Sequence, residues 1–401
     1  MPPLAMTGGQ PLRTAPLAPW PVFEEDEREA VRDVLLSGKV NYWTGEQGRL
    51  FEQEFAVLTA CRHAVALVNG TVALELALYA LGVGPGNEVI VTSRSFIASA
   101  SSIVLRGARP VFADVDEHSQ NITAETIRGL ITPQTGAIIT VHLAGWPCDM
   151  DPIMDLAEEH GIKVIEDCAQ ALGATYKGRP VGSLGHVAAF SFCQDKIITT
   201  GGEGGMLTTS DDHLGQRAWS YKDHGKSMAG AGNGEHGPEF RWLHDSFGTN
   251  WRLTEMQSAI GRVQLRKLPL WLERRRENAK RLAMGLAGIP ALHLTTPGEE
   301  IGHAYYKYYV FVEPERLRSG WDRDRIIVAI NAEGIPCYSG SCSEIYLEKA
   351  FAADLRPAQR LPVARRLGQT SLMFLVHPTL GEQDMNDICR AVRKVMQEAA
   401  E

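Results

Sequence analysis

Five short apolar runs, each followed by a stretch of helical periodicity, constrain this chain more than any other feature. The runs are His63–Val68, Glu88–Val91, Pro110–Ala113, Ala137–Val141 and Lys163–Glu166. The helical stretches that alternate with them are Val72–Leu81, Ala98–Arg106, Ala124–Leu130 and Asp151–Glu159. Strands alternating with helices over short connections predict a mostly parallel sheet covered by helices on both faces. Val65–Val68 and Val89–Val91 show no polar alternation, which suits strands buried on both sides. An open sheet of this kind holds its ligands beyond the carboxyl ends of its strands.

Either side of that region the pattern changes. Glu24 opens a helical stretch with acids in its first turn and Gly38 just past its end. Leu253 to Leu286 reads as long helical sequence broken at Pro269. A smaller α/β unit follows, with strand Tyr305–Val312, helix Asp322–Ala332, strand Ile335–Tyr338 and a last helix from Gln383 to Ala399. The expected organisation is an arm over residues 1–21, a large domain over 22–268, and a linker helix with a small C-terminal domain over 269–401. A chain of 401 residues with 44% hydrophobic content is long enough for two cores. The arm, rich in Pro, Gly and Ala, is expected to have little structure of its own, and it lacks the charged start and apolar run of a signal peptide.

Several function classes fall away. The most apolar helical stretch, Val72–Leu81, is interrupted by Glu75 and too short to span a bilayer. A net charge of −8 gives no electrostatic reason to bind nucleic acid. Seven scattered cysteines without a C-x-x-C pair indicate neither a zinc ribbon nor a disulfide framework, so no metal is expected. A reducing cytoplasm is the simplest compartment. A Gly-rich stretch between Ser227 and Pro238, read as a mobile loop, contains Gly232-x-Gly234-x-x-Gly237. No strand leads into it and Pro238 follows, so the strand–turn–helix context of a dinucleotide site is missing.

Two strings sit where such a sheet keeps its chemistry. Val164-Ile165-Glu166-Asp167-Cys168-Ala169-Gln170 is an apolar strand that delivers an acid at its end. Ser191-Phe192-Cys193-Gln194-Asp195-Lys196 leads from a strand to a lysine, and the cluster Gly201–Gly205 follows. Glycines there are costly in backbone entropy unless tight turns or close approach require them. Alone, Lys196 also reads as a solvated lysine, and Asp167 also as a capping acid. Together they are what pyridoxal phosphate (PLP) chemistry requires: a lysine to carry the cofactor, and an aspartate to keep its pyridine nitrogen protonated. In this order the strings resemble the fold-type-I PLP enzymes, specifically the sugar aminotransferases.

Other segments gain meaning from that resemblance. Asn69-Gly70-Thr71 follows an apolar strand and opens a helix, which makes either a phosphate site or a plain turn with Thr71 as N-cap. The resemblance makes Gly70 and Thr71 donors to the cofactor phosphate, with Ser191 a further phosphate ligand. Phe96, just past a strand end, is either a core phenylalanine or a ring laid on the pyridine face, and the resemblance places it on the pyridine. It places Gln170 beside the ring's 3-oxygen. The segment Asp245–Leu265 contains Gly248-x-Asn250-x-Arg252, similar to an element that reaches into a neighbouring subunit. Asn250 then serves the partner's PLP phosphate, and Arg252 clamps a carboxylate or phosphate. Cys193 and Trp251 depart from the histidine and tyrosine usual in the family. Substrate contacts are implied for Tyr42 and Trp43. His303, Tyr305, Tyr306 and the segment Cys337–Glu344 either line the substrate cleft or pack the small domain.

The resemblance covers nearly the whole chain from about Trp20 onward. It implies an aspartate-aminotransferase-like large domain with a smaller C-terminal α/β domain, in a homodimer with shared active sites. It implies transfer of the amino group of L-glutamate to a nucleotide-linked keto sugar, in polysaccharide or glycan biosynthesis. The strings Cys193–Lys196, Trp242–Arg252 and Tyr338–Tyr346 look like those of 4-aminotransferases acting on UDP-linked 4-keto-6-deoxy-N-acetylhexosamines. A 3-aminotransferase of another nucleotide sugar is the neighbouring reading. A PLP sugar dehydratase on the same fold carries histidine at the lysine position, which Lys196 argues against. A sugar epimerase would show Tyr-x-x-x-Lys, which occurs at no tyrosine here.

Overall fold

The structure, a computed structural model, describes residues 3–227 and 243–401. The Gly232–Gly237 match and Trp242 lie outside the described residues. The large domain is built on a seven-stranded sheet: β1 (His63–Leu67), β2 (Glu88–Thr92), β3 (Arg109–Ala113), β4 (Thr135–Val141), β5 (Lys163–Asp167), β6 (Val187–Ser191) and β7 (Gly205–Thr209). Their spatial order is β1-β7-β6-β5-β4-β2-β3. β7 runs antiparallel to β1 and β6, and the other pairs are parallel. The sheet is therefore mostly parallel, as the alternation of runs predicts. Leu67, Gly205 and Ser191 stand in register, and Asp167 lies on the next strand at the same edge.

Both faces of the sheet are buried, which is why its strands are continuous in apolar residues. One face carries Phe51 and Phe55 of α2 (Gln47–Leu58) against Phe190 and Ile138. The other packs Leu74 and Leu76 of α3 (Gly70–Ala80) and Ile103 of α4 (Ala98–Leu105) against Val89 and Ile139. Within β5 the two-residue period sends Glu166 and Asp167 to opposite faces. Glu166 accepts from the backbone N–H groups of Gly182, Leu184 and Gly185 and bonds His142 Nε2 at 3.0 Å, so it is tied into a buried framework.

Four expectations need correction. The first is the helix at Pro269: Glu255–Leu286 is one unbroken helix, through the expected domain boundary at 268/269. An interior proline costs roughly 3 kcal/mol in a helix, but burial of Leu268 and Leu272 on either side holds the axis. Its first half packs on α1 (Glu25–Ser37) and α2, and its second half enters the small-domain core through Ala279, Leu282 and Leu286. The second is the expected strand Ile335–Tyr338, which makes only one bridge, Tyr338 with Met373. Tyr308–Val312 pairs instead with Ser371–Phe374 and, on its other side, with Leu292–His293; Pro336 has no N–H for a ladder. The third is the start of the Tyr305–Val312 strand, which moves to Tyr308 because Tyr305 sits at φ +47°.

The fourth is the arm. Residues 3–20 are docked on the small domain rather than unstructured. Leu4 is buried, the N–H groups of Ala5 and Leu12 donate to the Glu333 carboxylate at 2.8 and 3.1 Å, and Arg13 pairs with Asp384 and Asp387 at 2.9 and 3.0 Å. Among the described residues no helix is long and apolar enough to cross a membrane.

Candidate active site

Asp167 ends β5 almost fully buried. Its Oδ2 accepts from Ser99 Oγ at 2.7 Å, Ser99 Oγ in turn bonds Ser95 Oγ at 2.8 Å, and Oδ1 accepts from the Ala169 N–H at 3.1 Å. Burial pushes its carboxyl above the ordinary range, while Ser99, Ala169 and the charges of Lys196 and His142 pull the other way. The carboxylate thus lacks a full counter-charge, which a protonated ring nitrogen would supply. Ser95 and Ser99 stand four apart and share one side of the turn into α4; that spacing was the available signal for Ser99.

The start of α3 forms the second part of the site. Asn69, not Thr71, caps the helix, its Oδ1 accepting from the Val72 N–H at 3.0 Å. The N–H groups of Gly70 and Thr71 are left without partners among the described residues, as the first turn of a helix leaves them. A Cβ on Gly70 would meet Ser191 Cβ at 2.6 Å, and one on Gly205 would meet the Asn69 carbonyl oxygen at 2.3 Å. Glycine at both places lets the turn, the end of β6 and the start of β7 close on one another. The result is a cradle of free N–H groups and the Ser191 hydroxyl at a helix N-terminus, suited to a phosphate.

Lys196 lies in the loop after β6, with its side chain mostly buried. Its Nζ donates to Tyr306 Oη at 3.5 Å and stands 4.0 Å from Asp195 Oδ1. Tyr306 Oη donates to Asp195 Oδ2, and burial together with that carboxylate raises the phenol so that it keeps its proton. The Lys196 carbonyl accepts from Trp20 Nε1 at 2.9 Å, so the arm reaches the lysine loop. Tyr306 is held over the lysine by backbone bonds to the large domain, from the Tyr306 N–H to the Ala144 carbonyl at 2.8 Å and from Ala304 to Gly145 at 2.9 Å.

The remaining expected residues separate into two groups. Gln170 is nearly buried; its Oε1 accepts from the Ala144 N–H at 2.8 Å and its amide NH2 has no partner among the described residues. Phe96 is 67% exposed, on the turn that carries Ser95 and Ser99, so it is not a core phenylalanine. Asn250 is exposed, and Arg252 Nη1 is bound to buried Asp223 at 2.6 Å while its Nε has no hydrogen-bond partner among the described residues. Tyr42 corrects the expectation of a substrate contact. It is buried, its hydroxyl donates to Glu52 at 2.9 Å, and Lys222 Nζ lies 4.1 Å from its ring centre, so it packs the interior. Trp43 leans on it at 6.0 Å. His303 is buried and stacks on Tyr305 at 3.9 Å, with burial holding the imidazole down to about 3, hence neutral. The two line a narrow crevice with Trp146 and Gln120. Ser99, Asp195 and Trp20 are site residues that sequence reasoning left unassigned, and Tyr306, expected only to line the cleft or pack the small domain, is the ring that meets Lys196.

Lysine, buried aspartate and helix-terminal cradle share one sheet edge, and they fit PLP: Gly70, Thr71 and Ser191 would hold its phosphate, Asp167 its ring nitrogen, and Lys196 its aldehyde carbon. This is the arrangement of a fold-type-I PLP-dependent transaminase. The DegT/DnrJ/EryC1/StrS aminotransferase family matches residues 21–393, and the chain belongs to it. It is 37% identical over 377 residues to GDP-perosamine synthase of Caulobacter vibrioides, covering 91% of this chain and 95% of that one. It is 36% identical over 378 residues to the UDP-N-acetyl-3-dehydro-alpha-D-glucosamine 3-aminotransferase of Acidithiobacillus ferrooxidans, with the same coverage. The solved aminotransferase from Psychrobacter cryohalolentis superposes with TM-score 0.94 at 55% identity, over 95% of this chain and 99% of that one. The chain is a PLP-dependent nucleotide-sugar aminotransferase, using an amino donor and a nucleotide keto sugar.

Proposed function

We propose that the enzyme transfers the amino group of L-glutamate to carbon 4 of a UDP-linked 4-keto-6-deoxy-N-acetylhexosamine, as a cytoplasmic homodimer in which Asn250 and Arg252 complete the partner's site. The observation that carries the substrate reading is the placement of the Tyr338–Tyr346 string. The Ser95 N–H donates to the Cys342 carbonyl at 3.1 Å and the Ile345 N–H to the Ser93 carbonyl at 2.9 Å. The string that resembles 4-aminotransferases therefore lies on the turn that carries Phe96 and leads to Asp167.

PLP, when bound, supplies an electron sink that makes the donor's α-proton acidic. The protein's part is positional and protonic. Asp167 keeps a proton on the ring nitrogen from within a dry pocket, where its charge counts most. Lys196 Nζ would serve as the base that moves the donor's α-proton, with Tyr306 and Asp195 orienting it. With PLP bound, Phe96 would cover the ring face, Gln170 would offer its free NH2 to the 3-oxygen, and the α3 N-terminus would hold the phosphate.

Amination at carbon 3 is the second reading, favoured by the likeness to the 3-aminotransferase of Acidithiobacillus ferrooxidans. Steady-state comparison of UDP-, dTDP- and GDP-linked keto sugars with glutamate, with the product's amino position fixed by NMR, decides between them. Highest kcat/KM for a UDP-linked sugar and a 4-amino product are expected. A dTDP or GDP preference, or a 3-amino product, would defeat the narrow reading and leave the aminotransferase standing.

A further inference from the structure

Lys196 does not stand alone. Lys307 Nζ lies 4.6 Å from the centre of the Tyr306 ring and Lys196 Nζ lies 4.9 Å from it. The two ammonium groups share Asp195, at 3.8 and 4.0 Å. A third cation sits behind them. Arg275 is 1% exposed; its Nη1 reaches the carbonyls of Tyr305 and Tyr306 at 3.4 Å, and its Nε and Nη2 have no hydrogen-bond partner. Its guanidinium lies 5.3 Å from the ring centre of Trp20. Trp20, Asp195, Lys307 and His377 line a cavity of about 470 Å³ between the arm and the small domain. Burial holds His377 down to about 3, so it adds no charge. It also lowers Lys307 to about 8 and Arg275 to about 10. Three largely buried cations face one half-exposed carboxylate, an environment that an anion completes.

We propose that Lys307 receives the distal carboxylate of a dicarboxylic amino donor bound in this cavity. The inference rests on the proposed use of L-glutamate. Three carbons separate that donor's amino nitrogen from its distal carboxyl carbon, and the two lysines flank a single tyrosine ring. A glutamate with its amino group at Lys196 would direct its distal carboxylate toward Lys307, the second ammonium on the same ring and the same Asp195, with the Arg275 charge behind. Lys307 thereby selects the donor: L-alanine has nothing to offer it. Trp20 makes the arm a wall of the donor pocket, which explains why a Pro-rich segment is docked so firmly on Glu333, Asp384 and Asp387.

The test compares kcat/KM for L-glutamate and L-alanine, with one keto sugar, in the wild type, Lys307→Met and Lys307→Arg holoenzymes. Methionine keeps the packing stem and removes the charge; arginine restores it. Loss of a charge-assisted hydrogen bond predicts a fall of about 10- to 100-fold in the glutamate-to-alanine ratio for Lys307→Met, largely recovered in Lys307→Arg. Binding of glutarate to the cofactor-free protein, by calorimetry, reads the same contact without turnover, and Kd is expected to rise about tenfold or more in Lys307→Met. A wild type that uses alanine as well as glutamate would overturn the donor reading and this inference with it. A wild-type glutamate preference that survives in Lys307→Met, with unchanged glutarate binding, would overturn this inference alone.

Discussion

Asp167 has both carboxylate oxygens hydrogen-bonded inside its own chain, whereas Phe247, in the loop that leads to Asn250 and Arg252, is 98% exposed. The pocket is made by strand ends brought together in one sheet, and its members hold one another: Ser95, Ser99 and Asp167 in one chain of hydrogen bonds, Lys196, Tyr306 and Asp195 in another. The loop is different. Its backbone is pinned to the helix Asp212–Lys222 and to β1 by bonds from Thr249 to Tyr221, Trp251 to Lys222 and Val68 to Trp251, at 2.8, 3.0 and 3.1 Å. Yet Phe247 and Asn250 point away from the chain. The loop thus presents an exposed aromatic and an exposed amide on a backbone held by its own chain. The difference separates what one chain assembles from what, in the proposed homodimer, its partner supplies.

The largest effect is expected inside the pocket. Lys196→Ala removes the base and the attachment point together, and turnover should fall by at least about 1,000-fold. Borohydride reduction of the wild type followed by peptide mapping should leave a pyridoxyl group on Lys196; label on another lysine would move the pocket elsewhere. Asp167→Asn keeps the shape and removes the charge that holds the ring proton. Its kcat is expected to fall by more than about 100-fold while some cofactor is retained. A near-native kcat would reduce Asp167 to a capping acid.

How much of this was legible follows from what each element rests on. Strands β1 to β5 and the helices between them were readable because burial on both faces leaves an apolar signature that local sequence carries. Lys196, Asp167 and Gly70 were readable because strand ends and glycines mark the edge where such sheets bind ligands. The docked arm was not, since its order comes from Glu333, Asp384 and Asp387, more than 300 residues away. Tyr306 was not separable from Tyr305 either: only the turn at Tyr305, with φ +47°, and the bonds to Ala144 and Gly145 decide which ring meets the lysine. Tyr42 misled because an aromatic in a polar loop looks like a ligand contact until Glu52 and Lys222 appear beneath it.

A smaller effect separates the two domains by pH. His303 and His377, in the C-terminal part of the chain, are held down from 6.5 to about 3 by burial. As pH falls below 6.5 the unfolded chain takes up a proton at each while the folded one does not, so stability is lost progressively toward about 3. Asp167 works in the opposite sense, because its raised carboxyl takes its proton first in the folded state. Tm should drop between about pH 7 and pH 5, and His377→Phe should flatten that drop by a few degrees. An unchanged slope would mean that His377 titrates normally.

Mixing two crippled subunits tests the division of labour most directly. Lys196→Ala lacks the lysine but keeps the loop, and Asn250→Ala lacks the loop amide but keeps the lysine. If the loop acts in trans, co-refolded hybrid dimers carry one intact site, and activity should return to about a quarter of wild type after random mixing. No recovery in a preparation shown by mass spectrometry to contain hybrid dimers would place the Asn250 loop in its own subunit's site and contradict the account.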